Sequence, residues 1–343
     1  MKVFGRYLVY RLKKSALRTL IFTLLSLLLT QTATVSGISG FYPEYHNVGL
    51  HMHAVVLSIF CTLIPMLETE AFKNRRNLDT LYFFPIERKK MALVHYISGL
   101  LQILVIYSIP FFTAWIYLEA QTNYFALGYM LPYYFLSLLL GVVMYSFFIF
   151  VFGQANTVVD GGLFCILWIV APYLVASAIL NLDAFDEMSW RLKSIIQEWG
   201  FTYASINNLT VIFQELIEVN KQVHEGGFVA SYATYYRQMW YVFLIWGAVS
   251  VASAVGYFTT FVNKGAEKAG EISDSIFGYK LLIPMCGYSL MVLIGTVDVI
   301  TAFMVLALMV IGYIIYRRSF RFKISDYILT GGALLMVFLG DIL

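Results

Sequence analysis

Nine long apolar runs follow one another along the chain, separated by polar segments of very unequal length. Each run approaches the roughly 20 residues that a helix needs to cross a bilayer. They occupy residues 20–38, 51–67, 92–118, 125–152, 158–180, 240–262, 281–298, 299–316 and 325–342. The pattern predicts an all-α polytopic membrane protein. Because the seventh and eighth runs are short and adjoin, a hairpin that dips into the membrane without crossing it is an alternative there.

The composition also indicates that a bilayer is the solvent. Hydrophobic residues make up 60% of the 343 residues and charged residues 13%, whereas soluble domains carry about a quarter charged residues. A water-soluble core of this length could not bury so much apolar surface. The first run lacks a small-residue cleavage site and predicts a retained helix. The last run stops with the chain at Leu343, which suggests a shortened form of a protein that is longer on the outer side.

The basic residues indicate how the chain is oriented. With the N-terminus inside, the inner segments hold six Lys and Arg residues in the N-terminal arm, six between the second and third runs, three after the sixth and four after the eighth. The exceptions share one long outer loop and are Arg191, Lys193, Lys221 and Arg237. Long loops cross the membrane largely regardless of charge. The asymmetry predicts a cytoplasmic N-terminus, and the net charge of +3 is too small to indicate a nucleic acid partner.

The N-terminal arm, residues 1–19, interleaves its bases with apolar residues. Phe4, Leu8 and Leu12 recur at a spacing of four and therefore share one face of a helix. This pattern predicts an interfacial helix on the inner leaflet, where anionic headgroups attract the bases. The alternative is a charge cluster that only sets the orientation.

Two further polar segments separate the apolar runs. The outer loop, residues 181–239, contains two stretches with helical hydrophobic spacing, which predict amphipathic helices at the outer leaflet. The inner linker, residues 263–280, is polar and precedes three more apolar runs. We therefore divide the chain into a cytoplasmic arm of residues 1–19, a transmembrane core of residues 20–263 and a C-terminal part of residues 264–343.

The chain offers little that supports catalysis or metal binding. His46, His51 and His53 lie close together in sequence, but an i, i+2 pair points to different helix faces, so we predict no metal site. The three cysteines are scattered and predict packing residues. No catalytic motif appears, so we predict no catalytic residue and no enzyme. A membrane-embedded enzyme would need paired ionisable groups at one depth and stays an alternative.

Energy for any transport would have to come from outside the chain. No Gly-x-x-x-x-Gly-Lys-Ser/Thr loop is present, so the chain cannot hydrolyse ATP by that route. Charged residues in the apolar runs lie near the predicted ends, as Asp160 and Asp298 do. Ion-coupled carriers instead bury ionisable residues in mid-membrane. The pattern therefore argues against a proton-driven or sodium-driven transporter.

The inner loop of residues 68–91 carries the most specific pattern. Its middle is apolar and stops at Pro85, with charged residues on both sides. The apolar residues at i, i+3, i+4 and i+6 are Leu78, Leu81, Tyr82 and Phe84. A short helix with an aromatic face on the cytoplasmic side predicts a protein partner, because a solvated loop would not need that face.

This loop resembles ABC-2 type transporter permeases of the multi-pass Gram-positive kind. The matching residues are Glu70, Arg75-Arg76-Asn77, Asp79-Thr80-Leu81, Pro85 and Arg88-Lys89-Lys90. In that family the segment between the second and third helices forms a coupling helix that sits in a groove of the ATP-binding subunit. The basic arm and the outer helices before the sixth run also have counterparts in the family. The chain departs from the family at Phe84-Pro85 in place of Leu-Pro, at Ile86-Glu87 in place of a Ser, and in its three extra apolar runs.

The resemblance implies a six-helix core of the type V exporter kind with about three further segments. It implies a permease subunit of an ATP-driven exporter in a bacterial cell membrane, with an amphipathic peptide, antibiotic or lipid-like substrate. Two ATP-binding subunits, which would hold ATP and Mg²⁺, and a second identical or similar permease would be its partners. The implied coupling interface consists of Glu70, Arg75, Arg76, Asp79, Thr80, Leu81, Tyr82, Phe84 and Pro85. The alternative is a non-transporting scaffold or sensor that is coupled to such an ATPase in antibiotic resistance.

Overall fold

The computed structural model describes nine stretches of the chain, which are residues 2–38, 47–74, 86–122, 127–180, 240–265, 269–294, 299–317, 320 and 322–332. Most of these residues are helical, and no strand occurs among them. The helices are α1 (Lys2–Ile38), α2 (Asn47–Thr69), α3 (Arg88–Thr122), α4 (Leu127–Gln154), α5 (Val158–Leu180), α6 (Trp240–Asn263), α7 (Leu281–Ile294), α8 (Val299–Arg317) and α9 (324–332). A 3₁₀ turn, Glu70–Lys73, follows α2, and a π-helical turn, Ile276–Lys280, precedes α7.

Four of the described helical stretches are long and apolar enough to cross a membrane. They are Val3–Val35, Met52–Lys73, Arg88–Ala120 and Tyr134–Gln154. Each of the nine predicted runs overlaps a described helix. The structure thus confirms the prediction of a helical membrane protein at this coarse level.

The N-terminal arm and the first apolar run form a single helix, which differs from the separate arm helix predicted for residues 1–19. α1 continues without a break for 37 residues. No proline or glycine lies between Arg6 and Val35, so no residue in this stretch forces a kink. The arm is therefore a direct extension of the first apolar helix.

The arm packs against neighbouring helices through Tyr7 and Arg11, which are buried. The residues predicted to lie on the inner leaflet, Phe4, Leu8 and Leu12, are half-buried, and their contact with lipid stays a prediction. Both buried side chains find polar partners on neighbouring helices, as described below. The positions of those partners decided which side of the arm turned inward.

Hydroxyl residues occupy the buried face of α1 beyond the arm, and leucines occupy its exposed face. The buried hydroxyl residues are Thr23, Ser26, Thr30 and Thr34, and the exposed leucines include Leu20, Leu24 and Leu28. The Ser26 hydroxyl donates to the carbonyl of Ile106 on α3 at 3.2 Å. Such an arrangement is the inverse of a soluble amphipathic helix and suits a helix with lipid on its outer side.

The chain folds into two compact units, and the first contains α1, α2, α3, most of α4 and α6. Within it, α1 packs against α2 and α3, and both α2 and α6 pack against α3. Gly99 on α3 lets the Tyr145 side chain of α4 approach closely, because an added Cβ there would lie 2.2 Å from the Tyr145 hydroxyl oxygen. That hydroxyl donates to the carbonyl of Tyr96 at 3.1 Å.

The second unit contains residues 72–75, the end of α4 from Val151, α5, and the chain from Gly265 onward. In this unit α7 packs against α5 and α8. The Trp168 indole on α5 donates to the carbonyl of Phe277 at 2.8 Å. α5 therefore folds with the C-terminal helices.

The polar linker before α7 is held in the second unit by hydrogen bonds. The Ser273 hydroxyl donates to the Gln154 carbonyl at 2.7 Å, and the Gly270 amide donates to the Asn156 carbonyl at 3.0 Å. Gly270 has a φ of 84°, a left-handed conformation that glycine adopts without the steric cost other residues incur. These hydrogen bonds hold the linker against the connection between α4 and α5.

Candidate functional site

Glu68 lies in the last turn of α2, directly before the 3₁₀ turn that leads into the predicted coupling segment. Its side chain has no exposed surface. A buried carboxylate is costly unless it is paired and hydrogen-bonded. The cost of burying the Glu68 carboxylate therefore depends on the charged and polar groups around it.

Two arginines of α1 bind the Glu68 carboxylate. Nη2 of Arg11 lies 2.8 Å from Oε2, and Nη2 of Arg18 donates to Oε1. Arg11 and Arg18 are seven residues apart, which corresponds to two helical turns, so both side chains extend from one side of α1. The end of α2 is thus ionically linked to the arm.

Two residues of α3 complete what we call the Glu68 cluster, defined as Glu68, Arg11, Arg18, His95 and Gln102. Nε2 of Gln102 donates to Glu68 Oε1 at 2.8 Å, and its Oε1 accepts from Arg18 at 2.8 Å. His95 Nδ1 lies 3.4 Å from Glu68 Oε2. The cluster therefore joins α1, α2 and α3 through one carboxylate.

Tyr7 extends the Glu68 cluster toward the start of α1. Its hydroxyl lies 3.2 Å from Nε2 of His95, and its ring meets the imidazole edge-on. Both side chains are buried. The arm is thus attached to α3 through Tyr7 as well as through Arg18.

The Glu68 cluster carries an excess of positive charge. Two guanidinium groups face one carboxylate, and the side chain of Arg11 is 10% exposed while that of Arg18 is 27% exposed. Buried ion pairs are weak evidence for added stability, but removing one partner from such a pair is strongly destabilising. The arrangement therefore favours one fixed geometry of α1, α2 and α3 near the predicted coupling segment.

Lys73, at the end of the 3₁₀ turn, makes a separate set of contacts in the second unit. Its ammonium donates to the carbonyl of Phe152 at 2.6 Å and to the carbonyl of Ala155, and it lies 4.3 Å from the centroid of the Phe152 ring. A cation at the C-terminal end of a helix satisfies its last carbonyls and complements its dipole. Lys73 thus caps α4 where the chain turns toward α5.

Only part of the predicted coupling interface lies within the described residues. Glu70 is exposed and opens the 3₁₀ turn. The remaining predicted interface residues, which lie outside the described residues, are Arg75, Arg76, Asp79, Thr80, Leu81, Tyr82, Phe84 and Pro85. Their contact with an ATP-binding subunit stays a prediction.

The other end of the predicted coupling loop is marked by Arg88, the first residue of α3. Its guanidinium donates to the carbonyl of Lys264 at 3.4 Å, just beyond the end of α6. Nearby, the exposed Lys90 ammonium lies 2.9 Å from the Glu87 carboxylate. The start of α3 is thus connected to α6 within the first unit.

Of the three histidines near the start of α2, only His53 has a described side chain. His46 lies outside the described residues, and His53 is buried with its ring edge-on to Phe111, at a centroid distance of 6.0 Å. No group of three or more potential metal ligands occurs among the described side chains.

Sequence reasoning missed the Glu68 cluster. A carboxylate at the end of an apolar run and two bases seven residues apart in the arm were visible as separate features. Their pairing joins residues about 50 positions apart in sequence. Helical periodicity relates neighbours along one helix and does not report which helices pack together.

Comparison with known protein families, with curated proteins and with solved structures finds no match for this chain.

Proposed function

We propose that the chain is the transmembrane permease subunit of an ATP-driven ABC exporter in a bacterial cell membrane. Two copies of an ATP-binding subunit and a second permease, identical or similar, would complete the complex. The likeness of the loop at residues 68–91 to the ABC-2 coupling segment is the source of the proposal. The observation in the structure that favours it most is the Glu68 cluster, which lies where this loop leaves α2.

The Glu68 cluster suits a segment that transmits force. A loop that is pushed by a motor protein moves the attached helices as a body only if its ends are firmly fixed to them. Glu68 binds Arg11 and Arg18 of α1 and Gln102 of α3. A push on the loop would therefore displace α1, α2 and α3 together instead of bending α2 alone.

Lys73 would provide a second fixed point in the other unit. Because its ammonium binds the carbonyls of Phe152 and Ala155, a displacement of the 3₁₀ turn would also act on the connection between α4 and α5. Both anchors lie near the start of the predicted coupling loop at residues 68–91. The start of the loop is thus attached to several helices at once.

ATP binding and closure of the ATPases would supply the push. Leu78, Leu81, Tyr82 and Phe84 would form the face seated in the ATPase groove, and ATP and Mg²⁺ would bind only to that partner. The resulting tilt of the helices would open a lateral or central path. The few charges in the apolar runs favour an amphipathic or lipid-like substrate.

Co-purification tests the partner on which the proposal depends. A tagged copy of the chain should retain a soluble protein that contains a phosphate-binding loop. Leu81→Pro should abolish this retention because it breaks the coupling helix, while the amount of protein in the membrane fraction stays unchanged. Glu87→Gln, an exposed position at the end of the same loop, serves as the control and should retain the ATPase. Absence of any nucleotide-hydrolysing companion, or labelling of Leu81 variants from outside intact cells, would contradict the proposal.

Reconstitution separates transport from a scaffold or sensor role. The purified complex in proteoliposomes should move an amphipathic substrate in an ATP-dependent manner. ATP hydrolysis that moves none of a panel of peptides, antibiotics and lipids would instead support the scaffold.

A further inference from the structure

The outward face of the N-terminal arm is basic and has no acidic counterpart among the described residues. Arg6, Lys13 and Lys14 are all exposed, and none of them forms an ion pair with a described residue. Arg11 and Arg18, by contrast, bind Glu68. The first 40 residues contain no Asp or Glu.

Exposed apolar side chains are interleaved with these bases. The outward face also carries Val3, Tyr10 and Leu17, of which Leu17 is 71% exposed and Tyr10 is 52% exposed. Residues 3, 10 and 17 are spaced by seven and therefore lie on one side of the helix. This side is continuous with the exposed leucines Leu24 and Leu28 of the apolar part of α1.

The length of α1 places this face near the lipid headgroups. A helix of 37 residues is about 55 Å long, at about 1.5 Å per residue. A bilayer including its headgroups is about 40–45 Å thick, and transmembrane helices tilt by up to about 40°. At a tilt near that limit the whole of α1 fits within the bilayer, and the basic part of its outward face lies in one headgroup layer.

We propose that the outward face of the arm, formed by Arg6, Tyr10, Lys13 and Lys14, binds the headgroups of anionic phospholipids. The uncompensated bases would attract the phosphates, and the exposed Tyr10 ring suits the boundary between headgroups and acyl chains. This face is distinct from the predicted interfacial face of Phe4, Leu8 and Leu12, which is half-buried in the structure. The inference depends on the membrane setting and not on the proposed transport function.

Lipid retention by the purified full-length protein tests the inference. The protein is equilibrated in detergent with equal amounts of phosphatidylcholine and phosphatidylglycerol, and the retained lipids are counted by native mass spectrometry. We expect the wild type to retain phosphatidylglycerol preferentially. Lys13→Gln combined with Lys14→Gln should weaken this preference by about fivefold for each base removed.

A matched pair of lysines provides the control. Lys89 and Lys90, at the start of α3, are also exposed, but Lys90 already faces the Glu87 carboxylate. Lys89→Gln combined with Lys90→Gln should therefore leave the preference close to that of the wild type. Equal losses in the two double variants would overturn the inference, because they would show a general effect of charge.

The mass of the particle also shows whether a second copy of the chain, instead of lipid, covers this face. If the arm variant changed the number of chains per particle and left the lipid ratio unchanged, the face would be a contact between copies and the lipid proposal would be wrong. Loss of the wild-type preference at high salt would support the proposal, since headgroup attraction is screened.

Discussion

The Arg11 guanidinium on α1 and the Glu68 carboxylate on α2 lie 2.8 Å apart and are both nearly inaccessible to solvent. This contact connects the basic arm to the helix that leads into the predicted coupling segment. It gives the arm a structural role that a set of orientation-determining charges would not have.

Replacing Glu68 should destabilise the first unit strongly. Glu68→Gln leaves two guanidinium groups facing each other without a counter-charge, and breaking a buried ion pair in this way costs about 3–5 kcal/mol. The measurement is the thermal unfolding temperature of the purified protein in mild detergent. Glu70→Gln, two residues away and exposed, is the control and should unfold close to the wild-type temperature. Similar unfolding temperatures for the two variants would show that the Glu68 cluster does not hold the helices together.

Lys73→Met should weaken the second unit. Methionine keeps most of the side-chain length but cannot donate to the carbonyls of Phe152 and Ala155, which Lys73 now satisfies. Losing hydrogen bonds from a charged donor typically costs about 1.5–3 kcal/mol. The exposed Lys89→Met is the control, and limited proteolysis with mass spectrometry of the fragments can locate the weakened region. Unchanged cleavage around α4 and α5 would contradict a capping role for Lys73.

Gly99→Ala should be more harmful than alanine at another helical glycine. An added Cβ would lie 2.2 Å from the hydroxyl oxygen and 2.7 Å from Cζ of the buried Tyr145, and overpacking of this kind typically costs about 1–3 kcal/mol. Gly247→Ala is the matched control, because nothing lies within 4 Å of its added Cβ. There the higher helix propensity of alanine should leave stability unchanged or raise it by up to about 1 kcal/mol. Equal unfolding temperatures for the two variants would mean that α3 and α4 do not approach each other this closely.

Acid should weaken the linker before α7 through Asp274. Burial alone would raise the pKa of this carboxyl, but hydrogen bonds and charges from Lys280 and Lys323 outweigh it and lower the pKa. A carboxyl with a lowered folded-state pKa contributes stability above its unfolded value of about 3.9, and this contribution is lost as the pH falls through the folded-state pKa. Because Asp274 is largely exposed, we expect the contribution to stay below about 1 kcal/mol.

Asp274→Asn provides the test of this pH dependence. The difference in unfolding temperature between the wild type and this variant should be small at neutral pH and should vanish in acid. A difference that persists or grows as the carboxyl is protonated would contradict the assigned ion pairs. Raising the salt concentration at neutral pH should reduce the difference as well.

The positions of the helices could be predicted well from the sequence. The run predicted at residues 158–180 coincides with α5, and the run at 240–262 lies within α6. Long apolar runs specify helices in lipid because the backbone must satisfy its own hydrogen bonds there. The start of α1 could not be predicted in the same way, because a basic amphipathic arm suits an interfacial helix as well as an extension of the first apolar helix.

The side-chain contacts of the candidate site were harder to predict from the sequence than the positions of the helices. The residue types that form the Glu68 cluster are present in the sequence, but the glutamate that matches the family pattern is Glu70, which is exposed. The two glutamates differ by two positions and therefore by more than half a turn of helix. Which of them turned inward depended on the packing of α2 against α1 and α3.

What the sequence determined by itself is the solvent and the secondary structure. Apolar runs of bilayer length require helices in lipid, and the distribution of bases predicts how they are oriented. Tertiary structure alone decided that Arg11 and Arg18 meet Glu68, that Lys73 caps α4, and that α5 folds with the C-terminal helices. The physical reason is that hydrophobicity acts locally and without direction, whereas ion pairs and caps require particular atoms of distant segments to lie within hydrogen-bonding distance.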